Sequence, residues 1–499
     1  MPGAQMLSRF TAWAEQKPAA AFAGFLALHC AVWTALPALL YPNLPLDLIE
    51  ALTYGREWQL GYDKLPPLPW WLVEVAYRLF GHDVAYYALA QLAVTACFAL
   101  VWAMARPLAG ALGALAAVLI LDGLHYFNYT AAKFNHDVVQ LPLWALAGFS
   151  LHRALRSGRI AYWALLGFAV GAALWAKYFV VVLAAPIALF LLLDRDARKS
   201  LMTPGPYLAA AIALIVMAPH LTWLVQNDFL PLRYAEARAA PSNGFFDHIL
   251  HPLVFAVSQL FFLAPALFIA SSLFWPRGAG RSPARADAYD RRIVTWLAFG
   301  PMAAVLAMSA VSGRGTVAMW GYPLWIFFGL WLVLVAPRAV TGLRLRPVIV
   351  GWAVVFAGLV FAFIGNYAVL PSYDHRYRAV LYPGEALGAE FSRRFRAATG
   401  KPLTYVIGSM WDGGNVSHYA PERPRVLIDG KSERAPWIDL ADLKRRGAVL
   451  VWTDGNLGEI PASYRDIAAG AEVQPPFSLP YHRGGMLLHV GWALLKPTS

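Results

Sequence analysis

Long apolar runs separated by short polar ones set the pattern of this chain. Eleven runs read as helices of membrane grade, at 20–40, 85–105, 108–123, 138–155, 160–176, 178–193, 206–225, 251–275, 292–311, 318–336 and 347–367. The runs at 108–123, 160–176 and 178–193 are shorter than the ~20 residues a bilayer span takes. The pattern predicts an α-helical polytopic membrane protein with about 11–13 transmembrane helices.

From Pro371 the periodicity changes. Tyr405-Val406-Ile407 and Val449-Leu450-Val451-Trp452 read as short buried strands, Met486 to Leu495 as a terminal strand, and Leu387 to Ala398 as a helix. The expected division is a transmembrane part, 1–367, followed by a small α/β domain, 368–499, of a usual domain size.

Every second connection is basic. One set holds Arg153, Arg156 and Arg159; Arg195, Arg198 and Lys199; Arg277, Arg281, Arg285, Arg291 and Arg292; and Arg338, Arg344 and Arg346, joined by Arg9, Lys17 and Arg106. The positive-inside rule makes this set cytoplasmic. Loops 41–84, 124–137, 226–250 and 312–317 then face the other side, together with the C-terminal α/β domain.

Composition sharpens this picture. With 59% hydrophobic and 14% charged residues and a mean hydropathy of +0.50, the chain is far from a soluble domain, which carries about 25% charge. The net charge of +12 lies in short clusters between apolar runs, not in a patch that tracks nucleic acid. Cys30 and Cys97 both fall in apolar runs and read as buried small hydrophobes, with no disulfide framework and no metal spacing. Arg9 and Lys17 precede the first run as in a signal peptide, but 22–40 is long enough to span and no convincing cleavage site follows.

Candidate chemistry concentrates in the first two outward loops. Asp47 and Glu50, three residues apart, share a face if helical. Asp63 and Lys64 precede Pro66 and Pro67, which suit the start of a second helix. From Leu68 to Phe80 apolar residues recur at helical spacing around Glu74 and Arg78, and Trp70 and Trp71 belong at interfacial depth. Asp137 closes the second loop in Lys133-Phe134-Asn135-His136-Asp137. Charges beside a bilayer are costly unless solvated, paired or used. A carboxylate can serve as general base towards a hydroxyl, and a lysine can hold a phosphate. Two acids and a lysine at one membrane face therefore suit group transfer from a phosphate-linked lipid. Loop solvation and ion pairing account for Asp47 and Lys64 equally well, and for Asp137 slightly better, because Lys133 lies one helical turn away. Lys177 either contacts a phosphate or sugar carboxylate or snorkels to the interface. His136 is the best-placed histidine, whereas His125 and His220, near run ends, read as structural. Asn227, Asp228, Arg233, Tyr234, Glu236 and Arg238 form a polar loop able to cover a cavity.

Together these features resemble the GT-C membrane glycosyltransferases, specifically the bacterial branch related to protein O-mannosyltransferases and lipid A aminoarabinose transferases. The resemblance covers most of the chain. Asp47 matches an acid soon after the first span. Asp63-Lys64-Leu65-Pro66-Pro67-Leu68-Pro69-Trp70 matches an acid, a Lys-Pro-Pro turn and an aromatic helix, with Leu65 inserted. Asp137 matches an acid ending the second external loop, and Arg314, Tyr322 and Pro323 match a later basic and Tyr/Pro segment. The stretch Lys133 to Asp137 followed by Leu141-Pro142-Leu143-Trp144 is similar to the galacturonosyltransferases of lipopolysaccharide. What the resemblance implies is an inverting transfer of a sugar from a polyprenyl-phosphate donor, on the periplasmic face of a bacterial inner membrane. The acceptor would be lipid A or lipopolysaccharide core, in an aminoarabinose- or galacturonic-acid-type modification, or a protein hydroxyl. Asp47 would be the general base. Lys64, Arg314 and Lys177 would hold the donor phosphate, and Asp137 would orient the acceptor or bind a divalent metal ion. Glu50, Asp63, Lys133, His136 and Tyr322 would contact substrate.

Two other classes fit less well. A transporter or flippase predicts inverted repeats and mid-span charges, whereas the acids here sit at loop ends. A membrane-anchored binding protein would act through the C-terminal domain, but Gly413-Gly414 there belongs to no nucleotide fingerprint.

Overall fold

The computed structural model describes residues 2–275 and 286–498. Arg277, Arg281 and Arg285 lie outside the described residues, as do the side chains of residues 2–7, Ala235, Ala237 and Arg238. The apolar runs form α1 (Pro2–Gln16), α2 (Pro18–Leu40), α3 (Leu46–Gly55), α4 (Leu68–Phe80), α5 (Val84–Leu121) and α6 (His136–Ser157). They continue as α7 (Ile160–Ala176), α8 (Val181–Leu193), α9 (Gly205–Gln226), α10 (Leu230–Arg238), α11 (Asp247–Phe274), α12 (Ala288–Ser312), α13 (Phe328–Val335) and α14 (Gly342–Ile364). Among the described residues, six helical runs are long and apolar enough to cross a membrane: α2, α5, α9, α11, α12 and Gly342–Val369. The last is α14 extended by a π-helical turn at Gly365–Val369. Shorter apolar helices lie at Ile160–Ala176 and Tyr178–Leu193. The chain is a multi-pass membrane protein.

Three expected spans differ from the structure. The runs at 85–105 and 108–123 join as α5, which bends after Pro107 at Gly110, where φ is 72°. Only glycine takes that conformation without a Cβ clash. The run at 318–336 is not one helix: it winds through a 3₁₀ turn at Ala318–Gly321 and further turns, and only Phe328–Val335 is α-helical. Pro323 lacks an amide proton and so cannot donate the hydrogen bond that would continue a helix through this stretch.

α6 joins the two ends of the helical body. At its C-terminal end Arg156 pairs with Asp287 at 2.9 Å and with Asp290 at 3.3 Å. Arg292, on the same helix as Asp290, reaches Asp194 at 2.6 Å and Asp196 at 2.7 Å. Three of the basic connections thus gather at one end, and the N-terminus of α6 lies among the candidate site residues at the other. Between these ends α7 and α9 pack closely, because a Cβ on Gly167 would come within 2.3 Å of the Ala209 carbonyl oxygen.

The chain continues through α15 (Pro371–Asp374), α16 (Gly384–Thr399), β1 (Tyr405–Gly408), α17 (Met410–Tyr419), β2 (Arg425–Ile428), α18 (Leu440–Arg446), β3 (Ala448–Trp452), β4 (Glu472–Pro480) and β5 (Leu487–Leu495). The sheet order is β2-β1-β3-β5-β4. β2, β1 and β3 are parallel, and β5 and β4 run antiparallel to their neighbours. β2 and β4 are additions to the sequence reading. β4 holds Pro475 and Pro476, which an edge strand tolerates, and its register shifts between Gln474 and Phe477. Gly413-Gly414 proves to be a packing feature: a Cβ on Gly414 would lie 2.6 Å from Ile49 Cγ2, so α17 rests directly on α3.

Candidate active site

α3 begins after Pro45 and carries Asp47 in its first turn. Asp47 and Glu50 face the same way, and each takes a lysine from a different segment. Asp47 Oδ2 accepts from Lys133 Nζ at 2.6 Å and from Asn135 Nδ2 at 3.1 Å. Glu50 Oε2 accepts from Lys64 Nζ at 2.6 Å. A third pair stands alongside, Asp137 Oδ1 with Lys177 Nζ at 2.7 Å. Each acid of the cluster thus has its cation, which is how charged groups persist beside a bilayer.

Asn135 ties these pairs together. Its Oδ1 caps α6 by accepting from the amides of Asp137 and Val138, at 3.1 and 3.0 Å, while its amide nitrogen donates to Asp47. One side chain therefore sets the distance between the two loops. His136, buried at the head of α6, donates from Nε2 to the Pro66 carbonyl at 3.1 Å and packs edge-on against Trp70, ring centres 4.8 Å apart. It fixes the proline turn that carries Lys64. Tyr322 is fully buried and lies close enough to Asp47 and Asp137 to feel both charges.

Burial opposes the charged form of Asp47, but Lys133, Asn135 and Lys64 outweigh it and bring its carboxyl down to about 2. Glu50 goes the other way: burial, with Asp47 and Asp63 nearby, raises it despite Lys64. Asp47 raises the Lys133 ammonium against the effect of burial. Burial opposes the Lys64 charge too, and Glu50 more than restores it. Two carboxylates one helical turn apart thus have proton affinities pushed in opposite directions.

Asp63 points away from this centre. Its Oδ1 accepts from the Tyr54 hydroxyl at 2.6 Å and its Oδ2 from Arg434 Nε at 2.7 Å. Arg434 also pairs with Asp429. The C-terminal segment thereby grips the residue next to Lys64. Further links are Arg423 to Glu74 at 2.6 Å, Arg425 to Glu57, and the Leu44 amide to the Tyr419 hydroxyl at 2.8 Å. Arg314 is not brought to the acid–lysine pairs. It donates to the backbone and side chain of Glu236, both at 2.9 Å, and so holds α10. From α10 Tyr234 presents its ring to Lys64 Nζ, 5.3 Å from the ring centre.

Asn135 and Arg434 are the residues that sequence reasoning missed. Asn135 had a local signal, an asparagine just before a helix. Arg434 had none, since its partner is 371 residues away. The donor set around Asp137 does not fit a divalent ion: Lys177 occupies the carboxylate and Gln140 Nε2 approaches it at 3.4 Å. Among the described residues no three His, Cys, Asp or Glu side chains converge.

The sequence and the fold are similar to those of known proteins. Residues 64–223, from Lys64 to the end of the third loop's approach, match the family described as dolichyl-phosphate-mannose-protein mannosyltransferase. ArnT from Cupriavidus metallidurans bound to undecaprenyl phosphate shares the fold with a TM-score of 0.62 at 15% identity, over 95% of this chain and 98% of that one. The fold is that of the GT-C glycosyltransferases. The chain is 24% identical over 423 residues to the lipopolysaccharide core galacturonosyltransferase RgtB of Rhizobium johnstonii, covering 82% of each. It is 23% identical to the lipopolysaccharide core galacturonosyltransferase RgtA of the same organism, covering 95% of this chain and 97% of that one.

Proposed function

We propose that this GT-C protein is a glycosyltransferase that moves a sugar from a polyprenyl-phosphate donor to a hydroxyl of lipid A or lipopolysaccharide core. The reading places the reaction at the periplasmic face of the bacterial inner membrane and takes a uronic acid of the galacturonic type as the sugar. The observation that carries it is the convergence of Asp47–Lys133, Glu50–Lys64 and Asp137–Lys177 at one end of the helical body. The names of the similar galacturonosyltransferases and the undecaprenyl phosphate bound to ArnT support the choice of acceptor and donor.

In this mechanism the acceptor oxygen attacks the anomeric carbon from the face opposite the phosphate, and configuration inverts. The bond from that carbon to the phosphate oxygen breaks, and the polyprenyl phosphate leaves with the electron pair. Lys64, helped by Lys177 from the neighbouring Asp137 pair, holds the phosphate charge that develops. The proton of the acceptor hydroxyl passes to Asp47, which is ionised at neutral pH. A phosphate that draws Lys64 away from Glu50 leaves Glu50 with a still higher proton affinity, so donor binding readies a second acceptor on the same helix face. Asp137 orients the acceptor, and no step is routed through a metal ion.

The test is mass spectrometry of lipid A and lipopolysaccharide from cells with the gene, without it, and with only Asp47→Ala. One saccharide mass should vanish in the last two, and a difference matching a hexuronic acid identifies the sugar. Unchanged glycolipids with the loss of a glycan from a membrane protein would replace this acceptor with a protein hydroxyl.

A further inference from the structure

A cavity of about 500 Å³ opens on the Lys133 side of Asp47. Pro45, Leu46 and Lys133 form its inner wall, so it abuts Asp47 through that residue's chain neighbours and its ion-pair partner. Lys64 and Glu50 do not line it. Its outer wall is the segment joining α14 to the C-terminal sheet, which no part of the transfer mechanism uses. We propose that this cavity is the subsite for an anionic saccharide unit of the acceptor, a role that rests on the transfer reading above.

Charge supports the assignment. The lining carries Lys133, Arg376 and Arg378 against one acid, Asp374. Arg378 is committed: it donates to both Asp374 oxygens, at 2.8 and 2.7 Å, and stiffens the wall. Among the described residues the exposed Arg376 guanidinium has no hydrogen bond or ion pair, and it stands at the rim free to take a carboxylate or phosphate. Shape supports a sugar. Tyr41, Tyr129 and Tyr367 line the cavity from three segments, with Tyr41 and Tyr367 ring centres 4.8 Å apart. Such aromatic faces carry a pyranose well, and their hydroxyls supply polar partners. The volume falls within the ~300–1,000 Å³ of small-molecule sites, enough for a saccharide unit but not for an acylated glycolipid. The geometry also divides the labour around Asp47: the donor phosphate on the Lys64 flank and the acceptor hydroxyl on the Lys133 flank.

The anion has two sources, a phosphate on the lipid A disaccharide or a carboxylate on a core sugar. The probes are bisphosphorylated lipid A, its dephosphorylated form, and a deacylated carboxylate-bearing core oligosaccharide. Binding is measured on full-length protein in nanodiscs carrying Asp47→Ala, so no turnover is needed. At least one anionic probe should bind, and adding Arg376→Ala should weaken it tenfold or more, with partial recovery in Arg376→Lys. Loss of affinity for dephosphorylated lipid A assigns the phosphate; retained core-oligosaccharide binding assigns the carboxylate. In the active enzyme Arg376→Ala should raise the acceptor KM by the same factor and leave donor KM and kcat unchanged. Equal affinity with and without Arg376→Ala, or no binding of any probe, overturns the assignment. Failure of the transfer reading shows separately, as unchanged glycan masses in Asp47→Ala cells.

Discussion

Lys133→Met isolates the electrostatic control of Asp47. The ammonium lies 2.6 Å from Asp47 Oδ2, and the two side chains keep 34% and 31% of their surfaces open. With Lys133 present, the carboxyl sits at about 2, below its ordinary 3.8. Burial pulls in the opposite direction, so removing the cation should return it to 3.8 or above. One pH unit is worth about 1.4 kcal/mol, and solvent screening at a third exposure trims the whole difference to between about 1 and 2 kcal/mol. The sign follows from linkage. A depressed carboxyl contributes stability at neutral pH that is lost as pH falls through the folded value, so the variant loses that contribution throughout the working range. Catalysis reports the same change more directly. In the wild type the acidic limb of kcat/KM for a step needing ionised Asp47 lies well below pH 4. In Lys133→Met it should move up by at least one pH unit and become visible, while Lys133→Arg keeps the wild-type profile. The assay is transfer from a uronosyl polyprenyl phosphate in nanodiscs between pH 3 and 8. An acidic limb that stays in place in the Met variant would refute Lys133 as the group that keeps Asp47 ionised.

Three further outcomes test other parts of the site. Asn135→Ala removes the cap of α6 and a donor to Asp47 together. It should lower stability by about 1 kcal/mol, read from detergent thermal melts, whereas Asn135→Asp, which keeps the cap but loses the donor to Asp47, should keep that stability and still lower kcat. Arg434→Ala releases Asp63 beside Lys64, and the lost charged hydrogen bond, about 1.5 kcal/mol, should raise the donor KM roughly tenfold with little change in acceptor KM. Incubation with EDTA should leave transfer unchanged, because Lys177 and Gln140 already satisfy Asp137; a loss restored by added divalent metal would contradict this.

The helical membrane body, the basic and acidic ends and the cluster of loop acids all follow from local pattern. An apolar run of membrane length has one stable form in a bilayer, because a helix satisfies its own backbone groups. Leu68–Phe80, bounded by prolines and Gly81, is helical over the span its periodicity predicts. Tyr405, Val449 and Leu487 each begin or enter a strand for the same local reason. β2 escaped because four residues between Pro424 and Asp429 carry too little pattern, and β4 because its prolines are acceptable only at an edge, which topology decides.

Pairing was beyond the chain's local pattern. Asp47, Glu50 and Asp137 were visible as acids near lysines, but which lysine each takes is a matter of three-dimensional approach. Lys133 goes to Asp47, 86 positions back, and leaves Asp137 to Lys177. Arg314, grouped with Lys64 by order along the chain, instead holds α10, and Arg434 reaches Asp63 from the C-terminal segment. Sequence alone determined the membrane class and the kinds of chemistry available, since both depend on hydrophobicity and side-chain type read a few residues at a time. Tertiary structure decided the partners, the opposite proton affinities of Asp47 and Glu50, and the cavity beside them, because Coulomb energy and burial depend on distances that only the packed fold sets.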